Sequence, residues 1–215
     1  MNMPRNVSTV ADRRPATRER IVEAAAELFG RHGYAATGVK VVLAAADAPY
    51  GSMYHFFPGG KQQLGVTVVE RGGELYRQLV EALYPPGADV VAATEAAFAD
   101  AALLLEETDF ADACPIATIA LEVASSDEPM RQAAAAGFTS WLDVLEQRFT
   151  AAGMTPARAA DVAVELFCLL EGAFLLVRTT RSSAPLRTVG RAAAAAVAAG
   201  LSAGADKERA RRRAR

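Results

Sequence analysis

Apolar residues recur every three or four positions along most of the chain, and no segment alternates apolar and polar residues as a half-buried strand would. In the segment 17–32, Ile21, Ala25 and Phe29, with Ala24 and Leu28 beside them, follow the spacing of one helical face. Similar patterns, with proline or glycine at most boundaries, predict longer helices at about 60–83, 89–107, 115–125, 127–152, 155–178 and 184–203. With two short helices before Lys61, the sequence predicts an all-α fold of about nine helices.

The region 37–61 predicts two short helices joined by a tight turn. Thr37 is expected to cap the first helix, and Asp47-Ala48-Pro49 is expected to break it, because Asp tolerates a left-handed backbone and proline cannot continue a helix. The second helix is expected over 50–57, with Met53 and Phe57 on its buried side. Two such helices cannot bury a core of their own, and the arrangement at about 38–57 is typical of a helix-turn-helix.

Four stretches of the chain resemble one known family. TRERIVEAAAELFGRHGYAATGV and APYGSMYHFFPGGKQQL resemble the DNA-binding domain of TetR-type bacterial repressors, in the LmrA/YxaF-like branch, and DACPIATIALE and EGAFLLVR resemble later segments of that branch. The resemblance implies an N-terminal three-helix head and a C-terminal helical body for ligand binding and dimerisation. The expected boundaries are a basic arm at 1–16, the head at 17–63, the body at 64–203 and a charged tail at 204–215.

The charge of the chain is unevenly distributed. The net charge is −2 over 215 residues, but residues 1–80 hold ten Lys and Arg against seven Asp and Glu, a net +3, which leaves −5 for the rest. The basic excess therefore lies where DNA is expected. The arm and the tail, with six basic and two acidic residues at 206–215, are each interpreted as disordered termini or as auxiliary nucleic-acid contacts.

The residues expected to contact DNA divide into two groups. Phosphate contacts are expected from hydroxyl, phenol and ammonium groups and from backbone N–H groups at helix starts, which together include Thr37, Gly38, Lys40, Tyr54 and Lys61. Base contacts are expected from the second helix, through Tyr50, Gly51, Ser52 and His55. The sequence departs from the family pattern at Tyr50, where the family often has lysine, and at Asp47, which replaces the usual turn glycine.

The body carries aromatic and apolar side chains at helical spacing, which are either core or the lining of a pocket between helices. The resemblance favours a pocket for a small apolar or aromatic effector, and the candidate residues are Phe98, Phe110, Cys114, Ile119, Trp141, Phe167, Glu171 and Phe174. Glu171 stands in an otherwise apolar helix, where an acid is costly to bury unless it is paired. It is interpreted either as a pairing group at a dimer seam or as a pocket residue.

Several packing expectations concern the long helices. In the helix 60–83, Leu64, Val68, Leu75 and Leu79 share one face, and Gly72-Gly73 lowers helix propensity enough for a local bend. In the predicted helix 89–107, Leu104 is expected to point toward the interior of the protein. Cys114 and Cys168, which lie in apolar surroundings and lack the CxxC spacing of a zinc site, are expected to be reduced core residues.

A single recognition helix reads too few base pairs, so the sequence predicts a homodimer on a palindromic double-stranded DNA operator. The expected seam lies on helices eight and nine, where Val162 and Leu166, with Leu169 and Leu170, face the partner.

Other classes of protein find little support in the chain. Both histidines, His32 and His55, lie in the head, so no catalytic set is indicated in the body, and no cofactor or metal is expected. No apolar secretory segment is present, and the longest uncharged run, 192–205, is too short to span a bilayer, so a cytoplasmic protein without a membrane partner is expected. The alternative left open is a helical ligand-binding or scaffolding protein that does not bind DNA.

Overall fold

A computed structural model describes the backbone of residues 15–111 and 114–213, and side chains as far as Gly204. The described residues contain nine α-helices and no strand, which confirms the predicted fold class. The helices are α1 (Thr17–His32), α2 (Val39–Ala45), α3 (Gly51–Phe56), α4 (Gly60–Leu83), α5 (Val90–Glu107), α6 (Pro115–Val123), α7 (Glu128–Ala151), α8 (Pro156–Thr180) and α9 (Ala184–Arg213).

Local chemistry explains most of the helix boundaries. Asp89 accepts hydrogen bonds from the backbone N–H groups of Val91 and Ala92, and so caps α5. Asp127 accepts a hydrogen bond from the backbone N–H of Met130 and so caps α7. Asp47 has a φ of 46°, the left-handed conformation predicted for the turn before α3.

The head consists of α1–α3, closed from behind by the first turns of α4. Phe29, Met53, Phe57 and Leu64 are fully buried there, so Phe57, which directly follows α3, is a core residue, as predicted. The helix α3 is shorter than expected, because Tyr50 is its N-cap rather than its first residue. Its buried side is supplied by Met53, one turn before Phe57.

The body is formed by α4–α9. Helix α4 packs against α7, α7 against α8, and α9 against both α5 and α8. Gly73 of α4 meets Gly137 of α7 so closely that a Cβ on Gly73 would lie 3.2 Å from the Cα of Gly137. α4 continues without interruption through Gly72 and Gly73. The closeness of the two backbones gives Gly73 a packing role in addition to its low helix propensity.

Two hydrophobic cores hold these parts together. The first begins in the head and continues into the body through Cys114, Ile119 and Trp141. The second fills the far end of the body, between α5, α7, α8 and α9, and includes Phe149 and Val162. The head therefore does not possess a core of its own; it shares one with the wall of the body.

The face predicted for α4 is buried only in its first half. Leu64 and Val68 are buried, whereas Leu75 is 63% exposed and Leu79 is 48% exposed. Beyond the head, α7 covers the opposite side of α4, at Gly73, which lies about 180° around the helix from Leu64 at 100° per residue. The expectation for Leu104 was also wrong, because more than half of its side chain is exposed.

The C-terminal prediction was wrong for most of the tail. Helix α9 was expected to end near residue 203, but it continues to Arg213. Residues 205–213 contain no glycine or proline and consist of Ala, Asp, Lys, Glu and Arg, most of them strong helix formers, so nothing in the sequence stops the helix. Residues 1–14 of the arm predicted at 1–16 lie outside the described residues. None of the helices within the described ranges combines the length and apolar character that a bilayer crossing requires.

Candidate DNA-binding surface and internal cavity

The outer face of α3 is polar, aromatic and open. Tyr50 and Tyr54 are 55% and 58% exposed, with their ring centroids 6.3 Å apart, and Gly51 and His55 are exposed beside them. Ser52 is half-buried. A Cβ added at Gly51 would meet no atom within 4 Å, so the backbone itself can approach a ligand closely there. α3 and its N-cap thus carry the four residues predicted to contact bases and Tyr54, which was predicted to contact a phosphate.

Two residues of the α2 side extend this surface. Lys40 is exposed on α2, and Gly38 is the exposed N-cap of that helix. The turn between α2 and α3 is held from α1, because Arg20 donates from Nε to the carbonyl of Ala46 at 3.0 Å and from Nη2 to that of Asp47 at 3.1 Å. Arg20 therefore stabilises the turn that leads into α3. No local pattern in the sequence indicated this role.

Thr37 does not cap α2, contrary to the prediction. Its hydroxyl donates to the carbonyl of Gly33 at 2.7 Å, and its side chain is buried, while Gly38 occupies the cap position. The carbonyls at the end of α1 have no helical partner of their own, and Thr37 satisfies one of them. The hydroxyl is therefore occupied within the protein.

Lys61 is also occupied within the head. Its Nζ donates to the carbonyl of Tyr34 at 2.7 Å and lies 4.3 Å from the centroid of the Tyr34 ring. Partial burial lowers the pKa of Lys61, and the nearby Glu122 carboxylate opposes that shift. The ammonium group thus braces the loop between α1 and α2, close to the surface where phosphate is expected.

Glu122, on α6 of the body, holds the same loop from the other side. Its carboxylate accepts hydrogen bonds from the backbone N–H of Tyr34 at 3.1 Å and of Ala35 at 2.8 Å. We call the contact between Glu122, the loop 34–35 and Lys61 the loop clamp. It connects the body to the head 88 positions away in sequence, and no local pattern could have revealed it.

The body contains a cavity of about 340 Å³ between α4, α5, α7 and α8. Its wall is almost wholly apolar and aromatic and consists of Tyr76, Leu79, Val80, Leu83, Tyr84, Ala97, Phe98, Asp100, Ala101, Leu104, Leu105, Cys114, Trp141, Leu145, Leu166, Phe167, Leu170, Glu171 and Phe174. Such a volume lies within the range of small-molecule sites, and a mostly apolar wall with few polar groups is typical of them.

Trp141 stands between this cavity and the first core. Its indole N–H donates to the carbonyl of Gly73 at 2.7 Å, and its ring lies 5.4 Å from that of Tyr76 and 5.8 Å from that of Phe167. The hydrogen bond ties α7 to α4 at the point where Gly73 and Gly137 touch. Occupation of the cavity would therefore act directly on the contact between these two helices.

Glu171 and Cys114 form a polar pair in the cavity wall. The thiol of Cys114 donates a hydrogen bond to the Glu171 carboxylate. Burial raises the pKa of Glu171 to about 7, and the hydrogen bond from the thiol opposes this shift. Burial and the neighbouring carboxylate together raise the pKa of Cys114 to about 12, so this thiol is a poor nucleophile.

Comparison with known proteins places both halves of the chain. The sequence model of bacterial regulatory proteins of the tetR family matches residues 21–65, and that of the LmrA/YxaF-like transcriptional regulator C-terminal domain matches residues 90–192. The HTH-type transcriptional regulator LmrA of Bacillus subtilis is 30% identical over 170 residues, covering 79% of this chain and 90% of that protein. The chain belongs to the TetR family.

Further relatives support this TetR-family membership. An uncharacterised HTH-type regulator of Mycobacterium tuberculosis is 38% identical over 179 residues, covering 81% of this chain and 90% of its own. The reduced form of Escherichia coli NemR, which is named an HTH-type transcriptional repressor, matches with a TM-score of 0.71 at 26% identity, over 85% of this chain and 96% of that one. A TetR regulatory protein of Rhodobacter sphaeroides has the same fold, with a TM-score of 0.75 at 22% identity, over 84% of this chain and 98% of that one.

TetR-family regulators bind DNA and typically act as dimers, and this chain is accordingly a DNA-binding transcriptional regulator. Two residues assigned by sequence to the seam do not face outward, because Val162 and Leu166 are buried inside the chain. The exposed apolar residues of α8 are instead Val164, Leu175 and Leu176. Cys168 was expected in the core, but it is exposed on this same helix.

Six of the eight body residues predicted to bind a ligand line the cavity of this TetR-family protein. Phe110 and Ile119 do not. Ile119 is fully buried in the core shared with the head, and Phe110 packs near the end of α8 with the Arg181 guanidinium 5.5 Å from its ring centroid. Helix α4 also contributes Tyr76 and Leu79 to the cavity wall. The sequence predicted Leu79 on a core face and contained no signal that singled out Tyr76.

Proposed function

We propose that this protein is a cytoplasmic homodimeric repressor that leaves a palindromic DNA operator when a small apolar molecule enters the body cavity. The observation that carries the proposal is the shared core: Trp141 and Cys114 belong both to the cavity wall and to the core that continues into the head. A molecule in the cavity thus contacts side chains that support the DNA-binding surface. The relative NemR is named a transcriptional repressor, which supports repression rather than activation.

The exposed face of α3 supports operator reading. We assign base contacts to Tyr50, Gly51, Ser52 and His55, and phosphate contacts to Tyr54 and Lys40, which are exposed on the same side of the head. Gly38 contributes a backbone N–H at the start of α2. Two copies of this surface, one helical turn of DNA apart, fit the two halves of a palindrome.

The loop clamp provides a path from ligand to DNA. Helix α6 begins directly after Cys114, in the cavity wall, and carries Glu122 near its end, against the loop that precedes α2. A ligand that displaces the start of α6 therefore moves Glu122 together with Tyr34 and Ala35. Helix α4 offers a second connection, because it contributes to the cavity and also closes the head.

Release requires the ligand to favour one of two states of the dimer. A shift from 1:99 to 99:1 takes about 5.5 kcal/mol of differential affinity. A cavity that changes shape between the states can supply this, since full burial of one leucine-sized group stabilises by about 1.5–3 kcal/mol. The effector is therefore expected to fill much of the cavity rather than to bind at its mouth.

Sequencing genomic fragments that the purified protein retains, followed by fluorescence anisotropy on the recovered site, tests the DNA-binding step. We expect one palindromic site near the gene for this protein, with an affinity that falls steeply as salt rises. A protein that remains monomeric in light scattering and retains no fragment at low salt would contradict the proposal and favour a ligand-binding or scaffolding protein.

The coupling step is tested by Glu122→Ala with Glu27→Ala as its control. Glu122 makes the clamp, whereas Glu27 forms an exposed ion pair with Arg31 on α1. The Glu122 variant should keep cavity binding but require more effector to release DNA, and the Glu27 variant should respond like the parent. Identical release curves for both variants and the parent would remove α6 from the path.

A further inference from the structure

The wall of the body cavity has a single kind of charge. Its ionisable carboxyl groups are Glu171 on α8 and Asp100 on α5, and no lysine, arginine or histidine is among its lining residues in the described part of the chain. Asp100 is exposed to solvent, whereas Glu171 is partly buried among apolar and aromatic side chains. The deeper part of the cavity is therefore acidic and otherwise apolar.

Glu171 has no cationic partner within the described residues. It takes part in none of the ion pairs there, and the group that donates to it is the thiol of Cys114, a weak donor. Arg178, seven residues further along α8, does not line the cavity, but it lines a surface depression that Glu171 also borders. No ion pair joins these two side chains, whereas Arg158 and Glu165, also seven residues apart on α8, do form one, at 2.7 Å.

An acid in such surroundings is incompletely stabilised. A carboxylate offers about four acceptor positions, and one thiol fills only one of them. Burial of a charge without a partner is costly, which is consistent with the raised pKa of this group. A cation placed beside Glu171 would supply the missing partner.

The aromatic side chains around Glu171 favour the same class of ligand. Tyr76, Trp141, Phe167 and Phe174 line the cavity, and the faces of aromatic rings attract cations that have lost their water. Neutral aromatic ligands would use the rings but would leave the carboxylate unpaired. Anionic ligands would be repelled by it.

We propose that the cavity binds a compact apolar organic cation, an aromatic or aliphatic body carrying one ammonium group, with that group beside the Glu171 carboxylate. This deepens the proposed function, on which it rests, by giving the charge of the effector. Of the two interpretations that the sequence left open for Glu171, the proposal favours a ligand contact, and not a pairing group at a dimer seam.

A matched pair of probes isolates the charge. (4-tert-Butylbenzyl)trimethylammonium and its neutral carbon isostere, 1-tert-butyl-4-neopentylbenzene, have nearly the same shape, and the cation keeps its charge at every pH. Trp141 is the only tryptophan and lines the cavity, so its fluorescence reports the binding of either probe. At pH 8 we expect the parent protein to bind the cation at least about tenfold more tightly than the isostere.

Two variants assign this preference to one carboxyl group. Glu171→Gln should lose most of the preference for the cation, keeping only the part that the aromatic rings supply. Asp143→Asn, which removes the same charge from an exposed position on α7 outside the cavity wall, should keep the parent's preference. Unchanged light scattering and circular dichroism show that each variant remains folded and in the same oligomeric state. A Glu171 variant that changed the oligomeric state without changing the preference would assign the residue to the seam and overturn the proposal.

The pH dependence gives an independent readout. Binding of the cation by the parent should strengthen from pH 6 to pH 8 as Glu171 ionises, and binding of the isostere should not. The other titratable groups around the cavity are Tyr76 and Tyr84 near the α4 side, Asp100 on α5 and Cys114 at the start of α6, and the lining residues of α7 carry none. Burial raises the pKa of Tyr84 and of Cys114 to about 12, well above this interval.

Failure of this inference can be told from failure of the proposed function. If the isostere binds as well as the cation and releases operator DNA, the repressor mechanism stands and the cationic preference is wrong. If the cation is preferred but never releases DNA, the preference stands and ligand release is wrong. If neither probe binds the parent, the cavity is not a site for molecules of this kind and the inference fails.

Discussion

The head and the body of this protein place their functional residues in opposite positions. In the head, the residues assigned to DNA, such as Tyr50 and Tyr54, lie on the outside with more than half of each side chain exposed. In the body the residues assigned to a ligand, such as Trp141 and Phe98, are buried and surround a cavity. In the proposed function, one region acts through its surface and the other through an interior space.

In the head, the residues assigned to function are largely different from those that stabilise the fold, whereas in the body they are the same residues. Exposed side chains contribute little to the free energy of unfolding, so the DNA-binding face can change with little loss of stability. Side chains around the cavity support the fold and, in the proposed mechanism, also contact the ligand. Substitutions in the body must therefore be judged by two measurements, and those in the head mainly by one.

The largest expected effect belongs to the residue that joins the two regions. Trp141→Ala should lower the free energy of unfolding by about 3–5 kcal/mol, because a buried indole and its hydrogen bond to Gly73 are lost. Urea unfolding followed by circular dichroism measures this. Trp141→Phe keeps a ring and should cost less, while still weakening the response to effector. A loss below about 1 kcal/mol for Trp141→Ala would show that the body tolerates a void there.

The next effect is a pH dependence located in the cavity wall. The pKa of Glu171 in the folded protein, about 7, lies above its ordinary value of 4.5, so the folded state binds more protons than the unfolded state between these values. Stability from this group is present at pH 4.5 and is lost as the pH rises through 7, by at most about 3 kcal/mol.

Glu171→Gln should remove this dependence. Urea unfolding of the parent and the variant from pH 5 to pH 8 isolates it, since all other groups are shared. A parent that gained stability relative to the variant over this interval would mean that Glu171 is ionised and paired with a cation in the absence of ligand.

Substitutions on the face of α3 should affect DNA and leave stability nearly unchanged. Tyr50→Ala should alter the preferred operator sequence by about 1–3 kcal/mol at the affected base pairs. Tyr54→Phe, which removes one hydroxyl, should weaken binding to all sequences about equally. Anisotropy titrations against a panel of operator variants measure both. Either variant losing more than about 0.5 kcal/mol of folding stability would contradict the separation argued for the head.

The smallest effect is expected at Lys61, which stabilises the head and is also a candidate for phosphate contact. Lys61→Met should lower the free energy of unfolding by about 1 kcal/mol, because the ammonium group braces the carbonyl of Tyr34. It should also weaken binding to all DNA sequences and reduce the salt slope by about one if Nζ reaches a phosphate in the complex. An unchanged salt slope with reduced stability would leave Lys61 a purely structural residue.

The sequence predicted those parts of the fold that depend on neighbours in the chain. Proline and aspartate at helix starts, and Met53 and Phe57 at helical spacing, were enough to place α3 and its buried side, and the aromatic set of the body identified most of the cavity wall. Local patterns failed where a partner comes from far away. Glu122, Arg20 and the meeting of Gly73 with Gly137 are fixed by tertiary contacts, and the hydroxyl of Thr37 chose a carbonyl of α1 over the cap position.

The contact between Gly73 and Gly137 determines how far the head end of α4 would move if the helix rotated at this crossing. No side chains separate the two backbones there, and Trp141 donates a hydrogen bond to the Gly73 carbonyl, so in the proposed mechanism this crossing is the point about which α4 would turn. Lys61, at the head end of α4, is twelve residues away, an arm of about 18 Å at 1.5 Å per residue. A rotation of about 5° at this crossing would shift that end by about 1.5 Å. In a dimer with two-fold symmetry both heads would move by the same amount, so in the proposed mechanism a modest expansion of the cavity would change the spacing between the two half-site contacts.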